Sequence, residues 1–219
     1  VVVANFFHQH APFAIKALAA GMHVLSETQA CHTLAEGAAL ARAVEKSGRI
    51  YMFAENYAYT AAAQEMQRLF RSGFAGLFQY GEGEYVHAAH RGILDTLELV
   101  PFLGHWRAWK PATYYCSHAM APVMFITETR PIKVNGFVVP RDLSEPENLH
   151  FGVTQCDRAG MIVCRMDNGA VVKLLQGGLQ GGHTGIRIHG SRALMVTTLD
   201  GQMLLQQEPW ATPDGKGRR

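Results

Sequence analysis

The hydrophobic pattern of residues 1–60 alternates between short apolar runs and helical repeats. Residues 1–4, 23–25 and 50–54 are runs of mainly β-branched and aliphatic side chains. Such runs are typical of strands that are buried on both faces of a sheet. Because helical segments with short connections separate them, we predict three parallel strands of an α/β sheet. Three strands make up about half of a dinucleotide-binding domain.

The two helices between these strands have recognisable ends. Pro12 occupies a predicted first helical position, and Gly21 closes that helix. Thr33 and Glu36 form a predicted capping box at the start of a second helix over 34–47. The residues of the second helix that we expect to face inward are Leu34, Ala38, Ala41 and Val44.

The pattern changes after residue 73, where a helix capped by Thr60 ends. From residue 77 the hydrophobic period becomes that of a sheet with one solvated face. Predicted strands follow at 78–86, 132–139, 151–156, 161–166, 170–176, 184–189 and 193–198, with one helix at 113–129. We therefore expect domains at 1–73 and 74–219, the second an open, mainly antiparallel sheet with few helices. Residues 207–219 are expected to be an untethered or truncated end.

The composition of the chain argues against several classes of function. The 219 residues are 48% hydrophobic and carry a net charge of +2, with scattered Lys and Arg. This distribution argues against a nucleic-acid partner, and no apolar run reaches the length that spans a membrane. The cysteines lack the close spacing of a metal site, so we expect no metal and the reduced thiols of a cytoplasmic protein. They are Cys31, Cys116, Cys156 and Cys164.

Polar residues follow each of the three predicted parallel strands. Ligands bind outside the carboxyl ends of such strands, which makes these residues candidates for binding. They are Asn5, His8, His10, Glu27, Asn56 and Tyr59. Some of them could instead cap helices or lie on the surface, and Tyr57 competes with Tyr59 for a functional role.

Tyr115 and His118 are three residues apart in the predicted helix at 113–129. This spacing places both side chains on one helix face, and a histidine beside a phenol suits proton transfer. The structural alternative is a partly buried histidine bonded to a backbone carbonyl group.

Several segments, taken in their order along the sequence, resemble the glucose–fructose oxidoreductase and inositol dehydrogenase family (Gfo/Idh/MocA). They are residues 3–12, 20–27, 34–47, 55–56 and 72–76. The resemblance implies a Rossmann domain that binds NAD or NADP, followed by a sheet domain that binds a sugar-like substrate and forms a homo-oligomer. It implies that Asn5, His8, His10, Glu27 and Asn56 lie on the cofactor side.

The chain begins with Val1 inside an apolar run. Together with the resemblance, this predicts that the chain is part of a longer protein. The glycine-rich turn that cradles the pyrophosphate is then expected before residue 1, and this chain by itself is expected to hold the cofactor weakly.

One position departs from the family pattern. Where the family has Glu-Lys-Pro, this chain has Glu27-Thr28-Gln29. The family's Lys helps to relay a proton, and a Thr hydroxyl has neither the charge nor a suitable pKa for that role.

A narrower resemblance, to the NAD-dependent α-N-acetylgalactosaminidases, fits this departure, because that branch also lacks the Lys. The shared segments are Glu55-Asn56-x-x-Tyr59, Gly81-Glu82-Gly83-x-Tyr85-x-His87, Trp106-Arg107 and Tyr115-x-Ser117-His118. This resemblance implies a catalytic site of Glu27, Tyr59, Tyr115 and His118.

Three functions remain open at this point. The first is an NAD(P)-dependent oxidoreductase that acts on a sugar, a polyol or a related hydroxy compound. The second is a glycosidase that uses NAD for transient oxidation and elimination. The third is an inactive relative that serves as a binding or oligomerisation module.

Overall fold

The computed structural model describes residues 1–87, 111–140, 157–179, 181–212 and 214–217. The strand expected at 151–156 and the pair Trp106-Arg107 lie outside these residues. The α-helices are α1 (His10–Ala19), α2 (Leu34–Ser47), α3 (Ala61–Arg71) and α4 (Cys116–Thr127). The strands are β1 (Val2–Val3), β2 (Val24–Ser26), β3 (Tyr51–Phe53), β4 (Phe78–Val86), β5 (Pro131–Pro140), β6 (Asp157–Met166), β7 (Val171–Gly177), β8 (His183–Gly190), β9 (Ala193–Thr197) and β10 (Met203–Gln207).

The first sheet has the order β1-β2-β3 and is entirely parallel, as the alternating pattern predicts. Helices α1 and α2 pack together beside it and form a small core around Val3, Leu18 and Leu40. Short 3₁₀ helices at Phe7–Gln9 and Asn56–Tyr59 follow β1 and β3. The loops after all three strands therefore lie at one edge of the sheet.

Details of both helices differ from the sequence-based expectation. Helix α1 begins at His10, so Pro12 is its third residue rather than its first. The Thr33 capping box of α2 is confirmed. However, Leu34 is 94% exposed, and Leu40 is the buried residue of α2. The expectation of an inward-facing Leu34, Ala38 and Ala41 is wrong because the helix rests on α1 through the stripe that contains Leu40 and Val44.

The second sheet has seven strands in the order β10-β9-β8-β4-β7-β6-β5. Only the β4–β7 pair is parallel among these strands, and the others pair antiparallel. The turn at Asp167-Asn168-Gly169 connects β6 to β7 as predicted, with Gly169 in the left-handed region at φ +88°. The expected fold class, a parallel α/β sheet followed by a mainly antiparallel sheet, is confirmed.

Helix α4 lies across the second sheet and supplies the centre of the main core. Val123 and Ile126 of α4 are fully buried against Val172 and Ile188 of the sheet. Helix α3 contributes Met66 to the same core. A domain boundary near residue 73 stays a prediction.

The chain remains ordered beyond the last predicted strand. Strand β10 pairs antiparallel with β9 over its whole length. A 3₁₀ helix at Pro209–Ala211 follows it, and Thr212 is buried. The expected untethered end over 207–219 is therefore wrong as far as Thr212, because strand pairing and this short helix hold the segment. Among the described helices none combines the length and the apolar character needed to cross a bilayer.

The approach of α4 to β4 depends on two glycines. A Cβ atom at Gly83 would overlap the backbone carbonyl group of Ala119, and one at Gly81 would lie 3.3 Å from the Cγ1 atom of Val123. Because β4 has no side chains at these positions, the helix backbone rests directly on the strand. This contact determines the distance between α4 and the sheet.

We predict that Gly83→Ala lowers the free energy of unfolding by about 3 kcal/mol, since the overlap is with backbone that cannot rotate away. Urea denaturation measures the change. Gly136→Ala, on the exposed edge strand β5, is the matched control. A Cβ atom at this position would lie 3.3 Å from the carbonyl oxygen of Met161. The control should stay within about 1 kcal/mol of the parent protein. Equal stability of the two variants would contradict this account of the helix contact.

Candidate active site

His118 forms a buried pair with Glu55. The imidazole Nδ1 atom lies 2.7 Å from Oε1 and 2.8 Å from Oε2 of Glu55. The two side chains are only 8% and 6% exposed. Glu55 ends the segment after β3, whereas His118 lies in the first turn of α4, so the pair joins the two sheets. Its partner is a carboxylate rather than the backbone carbonyl group of the structural alternative.

Three tyrosine rings surround the imidazole. Tyr115 stacks on it with ring centroids 4.9 Å apart and an interplanar angle of 8°. Tyr57 and Tyr85 contact it at centroid distances of 4.6 and 4.5 Å. His118 is therefore enclosed by rings that carry hydroxyl groups, and it is not sealed in aliphatic packing.

Two tyrosines at this site, Tyr85 and Tyr114, have raised pKa values. Burial raises the pKa of Tyr85 above its ordinary value, and the neighbouring Tyr57 hydroxyl raises this pKa further. Burial also raises the pKa of Tyr114, which lies next to the cluster and donates a hydrogen bond to the Cys31 carbonyl oxygen at 2.9 Å. At neutral pH these side chains are hydrogen-bond donors without charge.

The loop after β2 reaches the beginning of α4. Glu27 is exposed, and its carboxylate accepts a hydrogen bond of 3.1 Å from the Thr28 hydroxyl. The next side chain, Gln29, donates a hydrogen bond of 3.0 Å to the Ser117 hydroxyl. Glu27 thus lies on a segment that is attached to α4 one residue before His118. Thr28 is 7% exposed at the position where the family pattern has Lys.

The residues after β1 have different surroundings. Asn5 is exposed, and its amide donates to the Gln9 side chain at 3.2 Å. His10 is buried, and its Nδ1 and Nε2 atoms lie 2.7 and 2.9 Å from the carbonyl oxygens of Gln29 and Asn5. This ring ties together the loops after β1 and β2. His8 is half-buried beside Phe7, with ring centroids 5.6 Å apart.

Tyr59 and Asn56 lie apart from the His118 cluster. The Tyr59 ring is 54% exposed and contacts Phe125, which is two turns further along α4 than His118. Asn56 is exposed immediately after Glu55. The structure therefore brings Tyr57, and not Tyr59, beside the imidazole.

Of the four residues expected to be catalytic, Tyr115 and His118 are in direct contact, whereas Glu27 adjoins them through its loop. Sequence reasoning missed Glu55 and Tyr85 as neighbours of His118. Both residues lie in segments that the family resemblance singled out, so the sequence indicated these positions. It did not indicate that they contact His118. Among the described residues no three His, Cys, Asp or Glu side chains are placed to bind a metal ion.

A separate open groove of about 500 Å³ runs beside β1 and α1. Its lining includes Val2, Phe13 and Met22, and Asn5 is the member of the predicted cofactor-side residues that reaches it. The groove does not include the His118 cluster, which offers the acid–base groups. The histidine, glutamate and tyrosine side chains of the cluster therefore lie outside this groove.

Comparison with solved structures defines the class of fold. An oxidoreductase domain protein from Kribbella flavida superposes with a TM-score of 0.76 at 22% identity, covering 94% of this chain and 57% of that one. A levoglucosan dehydrogenase in complex with NADH and levoglucosan gives a TM-score of 0.75 at 22% identity, over 94% of this chain and 56% of the other. At these identities the likeness establishes the fold, which this chain shares with these oxidoreductases.

Sequence comparison adds a more specific likeness. The chain is 29% identical over 127 residues to glycosyl hydrolase family 109 protein 2 of Shewanella sp. (strain ANA-3), an alignment that covers 56% of this chain and 27% of the relative. No protein-family model matches. The chain spans about a quarter of the length of the curated relatives that it matches. Together these findings confirm the resemblance to the Gfo/Idh/MocA family, including its glycosidase branch.

Proposed function

We propose that the protein containing this chain is an NAD(P)-dependent oxidoreductase that acts on a sugar, a polyol or a related hydroxy compound. The observation that carries the proposal is the buried His118 ring, which stacks on Tyr115 and pairs with a carboxylate. A histidine in such a setting is suited to accept a proton from a substrate hydroxyl group. The fold shared with levoglucosan dehydrogenase supports this class of substrate.

The residues at the carboxyl edge of the first sheet fit one half of a dinucleotide. Exposed polar side chains of Asn5, Glu27 and Asn56 follow the three strands there and offer hydrogen bonds to a ribose or a nicotinamide amide. The segment between β1 and α1 contains no glycine, so it does not form the turn that cradles a pyrophosphate. We therefore assign residues 1–73 to the nicotinamide side of the cofactor domain and residues 74–219 to the substrate domain.

Bound NAD(P) would supply the acceptor for the hydride that leaves the alcohol carbon. His118 would take the proton of the same hydroxyl group, so that the alcohol becomes a carbonyl compound and both hydrogens are accounted for. Tyr115 would hold the imidazole plane by stacking, and the Tyr85 phenol would donate a hydrogen bond to a substrate oxygen. Glu27 lies on the loop beside Ser117 and would bind the substrate or the ribose. Tyr59, at the outer end of α4, would contact the substrate only at its periphery.

The second candidate function is a glycosidase that uses the same site. Two observations favour it: Thr28 stands where the oxidoreductase pattern has Lys, and the aligned relative is a family 109 glycosyl hydrolase. In this reaction the hydride is withdrawn and later returned, and His118 removes the carbon-bound proton made acidic by the transient oxidation. The bond to the leaving group then breaks, and water adds before the hydride returns. Net oxidation does not occur.

The fate of NAD separates these two functions. Full-length protein is incubated with NAD and a panel of free sugars, polyols and aryl glycosides. If the protein is an oxidoreductase, reduced cofactor accumulates in equimolar amount with product on a free sugar or polyol. A glycosidase releases the aglycone in many turnovers while the NAD concentration stays constant. Tight NAD binding without turnover on any member of the panel would contradict both functions and favour an inactive relative.

We predict that His118→Ala in the full-length protein lowers kcat by about 10²–10⁴-fold, the usual contribution of a general base. The Kd of NAD should stay within about twofold, because the cofactor-side residues are unchanged. Steady-state kinetics and a fluorescence titration with NAD measure the two effects.

His183→Ala is the matched control, since His183 also pairs with a glutamate, Glu84, at 2.9 Å. That variant should retain the parental kcat. If His118→Ala turns over as fast as the parent protein, His118 is a structural residue.

We further propose that the protein forms a homo-oligomer through the second sheet. Edge strand β5 pairs with β6 on one side, and nearly all of its residues are exposed. Its exposed apolar side chains are Ile132, Val134, Phe137, Val138 and Val139. A long apolar edge of this kind favours association with a second copy.

Phe137→Lys is expected to convert an oligomer into monomers, because Phe137 is 70% exposed at the centre of that edge. Sedimentation equilibrium measures the mass of the particle. Leu199→Lys, at an 85% exposed position in the turn between β9 and β10, is the control and should leave the mass unchanged. A parent protein that sediments as a monomer would contradict the proposal.

A cytoplasmic location is part of the same proposal. Cys31, Cys116 and Cys164 are free thiols, and reduced thiols are typical of proteins in the cytoplasm. Recovery of the protein from a cell fraction outside the cytoplasm would contradict this location.

A further inference from the structure

We propose that Glu55 is the positioning residue for His118. Its carboxylate holds the imidazole in the tautomer that carries the proton on Nδ1, which leaves Nε2 as the nitrogen that accepts the substrate's proton. This inference rests on the proposed function, because that function assigns His118 as the base. It adds the residue that makes one particular nitrogen of the ring basic.

The tautomer follows from the chemistry of the contact. An ionised carboxylate can only accept hydrogen bonds, and both oxygens of Glu55 lie within 2.8 Å of Nδ1. Nδ1 must therefore be the protonated nitrogen, since a lone pair there would face the lone pairs of the carboxylate. In the neutral ring the lone pair is then on Nε2. Hydrogen bonding at one nitrogen thus fixes the role of the other.

Glu55 is itself held in place. Its Oε1 atom accepts a hydrogen bond of 3.1 Å from the backbone N–H of Tyr57, the second residue of the 3₁₀ helix after β3. If the carboxylate rotated away, a backbone donor and the imidazole N–H would both lose their acceptor in a buried place, which is unfavourable. The ring orientation is therefore determined by β3 and its following turn, and not by α4 alone.

The charge of Glu55 also makes proton uptake feasible. When Nε2 accepts a proton, a cation forms inside a shell of three tyrosine rings, where an unpaired charge is strongly disfavoured. The carboxylate that already touches Nδ1 balances this cation, and the rings of Tyr57, Tyr85 and Tyr115 enclose the imidazole. The Glu55–His118 pair thereby provides proton transfer in a site where Thr28 replaces the family's Lys.

The substitution Glu55→Gln tests the tautomer directly. Glutamine keeps the size of the side chain and one oxygen for the Tyr57 N–H, but it places an amide donor where the second carboxylate oxygen faces Nδ1. The Nδ1–H form then loses its advantage, and the population with the proton on Nε2 should rise. The ¹⁵N shifts of the His118 ring, assigned by their loss in His118→Gln, report this population without any cofactor.

In the full-length protein we expect Glu55→Gln to lower kcat by about 10–100-fold, with little change in KM, because the substrate contacts remain. Glu55→Asp keeps the charge and should recover part of kcat. Thermal unfolding of each variant shows that the fold is retained. If Glu55→Gln does not fold, the ring shifts and kcat are measured on Glu55→Asp instead. Asp keeps the carboxylate, so the proposal expects the Nδ1–H tautomer to persist in this variant.

Another histidine–glutamate pair among the described residues, His183 and Glu84, serves as the matched control. Glu84→Gln removes the charge beside His183 Nδ1 and should shift the ring signals of His183 without changing kcat. An unchanged His118 tautomer in Glu55→Gln would overturn the positioning role, even if His118→Ala abolishes turnover. Conversely, a changed tautomer together with full activity in His118→Ala would overturn the proposed function and leave Glu55 as a purely structural partner.

Discussion

The pair formed by Glu55 and His118 is the interaction on which the rest of the site depends. It is buried, it spans 63 residues of sequence, and it joins the end of the parallel sheet to the helix that covers the mixed sheet. A carboxylate and an imidazole persist in such a place only when each satisfies the other. The position of the imidazole relative to the carboxyl edge of the first sheet is consequently determined by both sheets.

Local features of the chain are predictable because their causes lie close together in sequence. The capping box at Thr33, the left-handed Gly169 in the β6–β7 turn and the alternation in β4 each depend on a few neighbouring residues. For the same reason the fold class follows from the order of elements. The spacing of Tyr115 and His118 likewise places both on one face of a helix turn, as the stacked rings confirm.

The remaining parts depend on contacts between distant segments. Helix α2 buries Leu40 rather than Leu34 because α1 packs on that stripe, and helical periodicity alone does not reveal which stripe a neighbour covers. Tyr57 and Tyr59 are equivalent by sequence, yet the 3₁₀ helix turns one toward His118 and the other toward Phe125. Glu55 lies in a motif that the sequence analysis recognised. Its partner His118, however, lies on α4, which belongs to the other half of the chain.

The two glycines of β4 restrict how this site can vary. Positions 81 and 83 lie beneath α4, and a side chain at Gly83 would collide with the helix backbone. A larger residue at position 83 would therefore force α4, which carries His118, away from the strand. Under the proposed function, differences in substrate preference are then expected from the tyrosine rings around His118 and from the loop that carries Glu27. Protein engineering that aims to change the specificity of this scaffold should leave Gly81 and Gly83 unchanged. It should vary the tyrosine rings and the loop that carries Glu27.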